Sequence, residues 1–223
     1  MDIEEYLAQF FSFWDQLTDQ QRTRLAMATR PVQFKAGAHV HSGENDCVGV
    51  LMVLEGELRA FMLSASGREC TLFRVQKNET CVLAATCILK MITFDLFVDA
   101  EKDTTLLVVD SEVYAQVMEE NTAAEAFTYK QSADRFSDVM WVMQQQLFMG
   151  LDARLAIFLL DEVAHSGSNT LALTHDEIAR HIGSAREAVS RMLKGFADDG
   201  LVALSRGHIE VLDKTALHNL INE

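Results

Sequence analysis

The apolar positions of this chain change period along its length, and each change predicts a different element. In 184–196 the residues Val189, Met192, Leu193 and Phe196 stand at i, i+3, i+4 and i+7, one buried stripe of a helix. Arg186, Glu187, Ser190 and Arg191 collect on another face of it. Just upstream, Thr174-His175-Asp176-Glu177 reads as a capping box, with Ile178, Ala179 and Ile182 as the apolar side of the helix it starts. Gly183 permits a sharp turn between the two helices. After Gly200 comes an apolar run 201–204, a turn 205–208 and a second run 209–211. That is a hairpin with Arg206 and His208 at its tip. Helix, glycine turn, helix and hairpin make a winged helix-turn-helix.

Residues 3–28 read as helical, with Tyr6, Phe10, Phe13, Trp14 and Leu17 as a core-facing lid and Pro31 closing the segment. From Val32 to about Val109 the pattern shortens to apolar runs broken by Gly, Asn and Asp, the mark of many close-set strands in an antiparallel, jelly-roll-like β-roll. Residues 111–120 are helical, and a longer helix runs from about Ala123 to Phe148. In it Tyr129, Ala133, Phe136, Met140, Met143 and Leu147 step by alternating fours and threes, a heptad seam that favours self-association over a place in a monomer core. Gly150 and Asp152 mark a hinge, followed by a helix over 153–163 and a short strand over 171–173. The expected fold is α+β, with a β-roll over 1–120, a long dimerisation helix over 121–149 and a winged helix-turn-helix domain over 150–223.

Bulk properties narrow the setting. The 223 residues are 49% hydrophobic, enough for two modest cores. The opening Met1-Asp2-Ile3-Glu4-Glu5 shows no secretory signal, and the longest apolar run, 81–92, is short and holds Lys90, so no membrane span is expected. Cys47, Cys70, Cys81 and Cys87 have no regular pairing pattern, which fits a reducing cytoplasm. Net charge is −14: residues 1–150 carry 12 Lys/Arg against 22 Asp/Glu, and residues 151–223 carry 7 against 11. Yet 184–194 holds three cations and one acid. The acidic remainder repels phosphates and suppresses non-specific binding, so strong binding requires two subunits together.

The outward residues of that cationic helix suit the DNA major groove. Arginine bridges guanine O6 and N7, glutamate accepts from cytosine N4, and serine pairs permissively. The expected DNA-binding set is Thr174, Ser184, Arg186, Glu187, Ser190, Arg191 and Arg206, the last reaching phosphate from the wing. Ser184-Ala185-Arg186-Glu187 also reads as a second capping box, which gives Glu187 a purely structural alternative.

Taken together, Phe34 to Gly37, Gly43, Val53-Leu54-Glu55-Gly56-Glu57-Leu58, the seam helix, Arg154-Leu-Ala-Ile-Phe-Leu-Leu160 and the helix-turn-helix resemble the Crp/Fnr family of bacterial transcription regulators, over essentially the whole chain. The resemblance implies that Arg186, Glu187, Ser190 and Arg191 read a half-site containing TGA or a close variant. It further implies a homodimer on a palindrome, an effector sensed in the β-roll, and a contact with RNA polymerase.

One departure stands out. Where cyclic-AMP-binding members carry a Gly-Glu and Arg-Ser/Thr cassette, this chain has 78–94, with Val82 and Leu83 in the Gly-Glu places and Lys90 as the sole cation. A buried phosphate without a charge partner is costly, so the expected effector is something other than cyclic AMP. An iron–sulfur cluster is disfavoured because no cysteine precedes Cys47 and the spacings match no cluster run. Cys81 and Cys87 raise a thiol switch or a soft-ligand site that includes haem, against the plainer reading of two small core hydrophobes. An apolar effector pocket is expected from Cys81, Val82, Leu83, Cys87, Lys90 and Phe94 with Phe136 and Met140 of the seam helix. His39-Val-His41-x-x-Glu44 resembles part of a cupin metal site, and two exposed strand histidines is the simpler account, so no metal is expected. Two alternatives are a cupin-like metal-dependent enzyme and a DNA-independent small-molecule sensor.

Overall fold

A computed structural model of the chain describes residues 2–42, 48–85 and 95–221. The chain divides into two compact units, Met1–Met62 with Leu72–Val139, and Leu63–Thr71 with Met140–Glu223.

In the first unit the stretch expected to be helical over 3–28 is divided into three helical segments. Helix α1 (Ile3–Phe10) is capped by Asp2, a 3-10 turn follows at Trp14–Gln16, and α2 (Asp19–Met27) opens on a Thr18–Gln21 capping box. Thr18 supplies a cap in mid-stretch, so the chain restarts there and turns Phe11 and Phe13 inward. Their rings stack 4.9 Å apart and meet Phe127 at 5.8 and 5.2 Å, and Phe11 lies 5.7 Å from Tyr114. Phe10, Phe13, Trp14 and Leu17 are buried as expected, while Tyr6 is half-buried. Pro31 does not close a helix. It lies inside β1 (Thr29–Phe34), an edge strand where a missing N–H is tolerated.

The roll is built from β1, β2 (His39–Ser42), β3 (Val50–Glu55), β4 (Glu57–Leu63), β5 (Glu69–Gln76), β6 (Thr80–Cys81), β7 (Phe97–Ala100) and β8 (Thr104–Val109). They form two four-stranded sheets, ordered β1-β8-β3-β6 and β2-β7-β4-β5. The pairings with an assigned register are antiparallel, such as Leu51 opposite Val108 and Leu58 opposite Ala100. Gly56 joins β3 to β4 at φ +88°, and a Cβ there would lie 2.6 Å from the Asp103 carbonyl oxygen. Only glycine fits that crossing. Helices α3 (Ser111–Glu120) and α4 (Thr122–Phe148) follow with nearly the expected bounds.

The second unit holds α5 (Leu151–Ser166), β9 (Thr170–Leu171), α6 (His175–Ile182), α7 (Arg186–Asp198), β10 (Val202–Ser205), β11 (His208–Val211) and α8 (Lys214–Ile221). Its strands form an antiparallel sheet ordered β10-β11-β9, so the strand expected over 171–173 is shorter and one residue earlier. Leu155 and Leu159 of α5, Ile178 and Ile182 of α6, Val189, Leu193 and Phe196 of α7, and Val202, Ile209 and Val211 of the hairpin share one core. The tip of the β4–β5 hairpin, Leu63–Thr71, clusters with this unit, which the spacing of the sequence did not announce.

Candidate nucleic-acid interface

The first helix of the motif starts where the sequence places it. Thr174 Oγ1 accepts the Glu177 backbone N–H at 3.2 Å, and Glu177 returns a carboxylate oxygen to the Thr174 N–H at 2.6 Å. At the other end Gly183 takes a left-handed conformation, φ 67°, as the C-cap of α6. Its N–H and that of Ser184, at 3.0 Å for the latter, both return to the Ala179 carbonyl.

Those bonds hold Ser184 inside the turn and correct one expectation. The N-cap of α7 is Ala185, with no side-chain cap, and the helix begins at Arg186. The second capping box is therefore absent, and Glu187 is left exposed in the first turn, where the helix dipole favours an anion. Arg186, Arg191 and Lys194 are exposed as well, and Ser190 is half-buried between them. Val189, Leu193 and Phe196 are buried and Met192 packs partly against the core, so the amphipathic division read from the spacing is the one observed.

The wing also matches. Ser205 pairs with His208 around the two-residue turn Arg206-Gly207, and His208 Nδ1 lies 3.2 Å from the Arg206 carbonyl. A cleft of about 650 Å3 opens between the start of α6, the start of α7 and the hairpin, lined among others by Thr174, His175, Asp176, Arg186, Ser205 and His208. Two helix N-termini and a guanidinium around one opening suit an anionic oxygen, while the exposed side of α7 carries groups that pair with base edges.

Farther up the chain, α4 buries only Ala124 and Thr128. Tyr129, Ala133, Phe136, Met140, Met143 and Leu147 are all exposed, Phe136 at 64% and Leu147 at 61%. Within one chain this helix therefore leaves its apolar seam open.

The residues of the expected effector pocket differ in exposure. Cys81, Val82 and Leu83 are buried, whereas Phe136 and Met140 lie on the open seam. Cys87, Lys90 and Phe94 fall outside the described residues. Burial pushes the Cys81 thiol up from its ordinary pKa, which disfavours the reactive thiolate. Sequence reading found no arginine near this region and missed Arg135. From α4 it reaches Glu79 and Asp138 at 3.1 Å each and lies 4.9 Å over the Phe73 ring. Nothing local links residue 135 to residue 79, so only the fold reveals the pair.

The histidine motif also resolves differently from two exposed residues. His39 is exposed and its Nδ1 meets Asp99 at 2.6 Å, but His41 is fully buried, the strand register shifting between them. Glu44 and Cys47 lie outside the described residues. Among the described residues no three His, Cys, Asp or Glu are grouped to hold a metal, and no helix is long and apolar enough to cross a membrane.

Known proteins share this arrangement. Residues 153–220 match the Crp-like helix-turn-helix domain. A solved chain from Eubacterium rectale, assigned to the crp/fnr family of transcriptional regulators, is 40% identical. The likeness covers 96% of this chain and 99% of that one, with a TM-score of 0.92. The transcriptional regulator SdrP of Thermus thermophilus is 36% identical over 76 residues, 31% of this chain and 38% of SdrP. A Lacticaseibacillus casei protein named as the transcriptional regulator flp is 22% identical over 218 residues, 88% of this chain and 90% of its own.

Proposed function

Because the chain belongs to the Crp/Fnr family of DNA-binding transcriptional regulators, we propose that it works as a homodimer on palindromic DNA, under a signal other than cyclic AMP. Family membership sets aside both the metal-dependent enzyme and the DNA-independent sensor as readings of the chain. The observation that carries the proposal is the surface of α7, where Arg186, Glu187 and Arg191 project from a helix anchored by Val189, Leu193 and Phe196.

In this reading Arg186, Glu187, Ser190 and Arg191 contact base edges, and Thr174, Ser184 and Arg206 fix the helix against the sugar-phosphate backbone. The open seam of α4 is covered by the same seam of a second copy, a self-complementary contact of the kind two-fold dimers use. Pairing sets two copies of α7 one helical turn apart, and the palindrome mirrors that symmetry. The β-roll, residues 1–120, serves as the sensor domain, 121–149 as the dimerisation helix and 150–223 as the DNA-binding domain, and the molecule acts in the cytoplasm.

Support for a non-nucleotide signal comes from 80–85, where Thr80 to Ala85 are buried and carry no cation. The arginine near it, Arg135, is already paired with Glu79 and Asp138, so a cyclic phosphate would compete with two carboxylates for that charge. Effector binding acts by population shift, favouring the dimer geometry in which both readers fit one site. Contact with RNA polymerase completes the regulatory output.

A gel-shift titration with palindromic duplexes carrying TGA half-sites tests the proposal. The wild-type chain should shift such a duplex, and Arg191→Ala should weaken specific binding by about 100-fold while leaving self-association intact, since each guanine pair contributes roughly 1–3 kcal/mol. Unchanged sequence preference in Arg191→Ala contradicts the assignment of α7.

A further inference from the structure

We infer that Gln146 is a positioning residue for DNA recognition, holding the turn that aims α7. The carbonyl of Ile182, the last residue of α6, accepts two donors from outside its helix: Gln146 Nε2 at 2.9 Å and Arg154 Nη1 at 3.0 Å. Arg154 also donates to Gln146 Oε1, so both ends of the amide are engaged and its orientation is fixed. Carbonyls in the last turn of a helix lack intrahelical partners, and a cation there is favoured by the dipole. The pair therefore ties down a group that would otherwise turn to water.

The same turn is held from further directions. A Cβ built on Gly183 would lie 3.2 Å from Gln146 Nε2 and 3.1 Å from Cys70 Sγ, so the amide and the hairpin tip press directly on it. Two residues earlier, His181 is buried, its Nδ1 3.0 Å from Thr71 Oγ1 and its ring 5.3 Å from that of Phe158. Three separate stretches, the end of α4, the start of α5 and the β4–β5 tip, converge on residues 181–183.

Leverage makes this consequential. Helix α7 has 13 residues, hence a length of about 20 Å, and a 10° rotation at the turn moves its far end by about 3 Å. That displacement is as long as a hydrogen bond, enough to break bidentate base contacts while leaving long side chains within reach of phosphates. Gln146 also sits beside Leu147 and one turn from Met143, both on the open seam. A shift of the last turn of α4 is thus delivered straight to the turn before the reader.

The inference rests on the reading of α7 as the DNA-contacting helix, and its test separates the two. Gln146→Glu removes the N–H donor while keeping size and the Arg154 partner, and Gln146→Ala removes the clamp without adding charge. Each full-length variant is titrated against a TGA-containing palindrome and a scrambled duplex of equal length, and the Gly183 amide resonance is followed alongside those of Gly167 and Gly207. Both variants should bind the palindrome at least tenfold more weakly and the Ala variant the scrambled duplex within twofold of wild type. The Gly183 signal should move and the two control glycines stay. Retained discrimination in both variants, an equal loss on both duplexes in Gln146→Ala, or an unmoved Gly183 signal overturns the inference. A wild-type chain that ignores every duplex removes the reading of α7 itself, and this inference with it.

Discussion

Glu187 shows how one register shift alters a residue's role. The sequence offers Ser184 as an N-cap with Glu187 three residues on, but the left-handed Gly183 folds the Ser184 N–H back to Ala179, and the cap moves one residue on, to Ala185. Freed from capping, Glu187 is the one acid exposed in the first turn of α7. Glu187→Gln should relax discrimination at a single cytosine in each half-site, at a cost of about 1 kcal/mol for the preferred base and little for the others. A panel of half-site variants in a binding titration checks this, and uniform weakening across the panel speaks against base contact. The buried side of α7 was legible because a 3.6-residue period needs only residue types, whereas the cap depends on backbone angles the pattern does not encode. Tyr114 is a second case invisible in sequence. It is fully buried, its hydroxyl 2.8 Å from Thr128 Oγ1, and burial pushes its pKa up to about 12, the Thr128 contact working in the other direction. The folded value exceeds the unfolded one, so its contribution to stability is whole below about pH 10 and is lost as pH rises through 12. Thermal unfolding between pH 8 and 12 should fall less steeply in Tyr114→Phe than in wild type, and parallel curves would count against it.

At the scale of elements, α4 was the clearest reading and the N-terminal stretch the poorest. The seam of α4 repeats over nearly three heptads, and every member is exposed, so the stripe read from periodicity is left open within one chain. Phe136→Glu costs the isolated chain little, because the position is already 64% exposed, but in a paired seam it sets two carboxylates in an apolar contact. Sedimentation should show Phe136→Glu as a folded monomer with DNA affinity reduced at least 100-fold, whereas a dimer of wild-type strength contradicts the seam. Residues 3–28 misled because apolar residues are frequent there and no proline or glycine interrupts them, so the break rests on the Thr18 cap and the inward turn of Phe11 and Phe13. The strand-rich region was recognisable by its short apolar runs, yet its two-sheet order depends on pairings far apart in sequence, such as β1 with β8. Likewise the grip on Ile182 joins residues 146, 154 and 182, a contact set that no local motif records.

For the whole molecule, charge and pairing decide the function together. A net charge of −14 opposes approach to DNA, and the neighbourhood of α7 sets three cations against one acid. In the proposed dimer the acidic body weakens non-specific binding, and affinity is expected to depend on two readers engaging at once, because linking them makes the second contact intramolecular. Under the proposed dimer, regulation would follow from the same arithmetic: a signal that changes how two copies pair would change occupancy without touching a base-contacting residue. The most direct test is selection of duplexes from a random library by the full-length chain, with the mass of the resulting complex measured. The account predicts an enriched inverted repeat whose half-sites are centred about 10 base pairs apart, bound by two chains. Enrichment of one unrepeated motif by a single chain, or no enrichment at low salt, would contradict it.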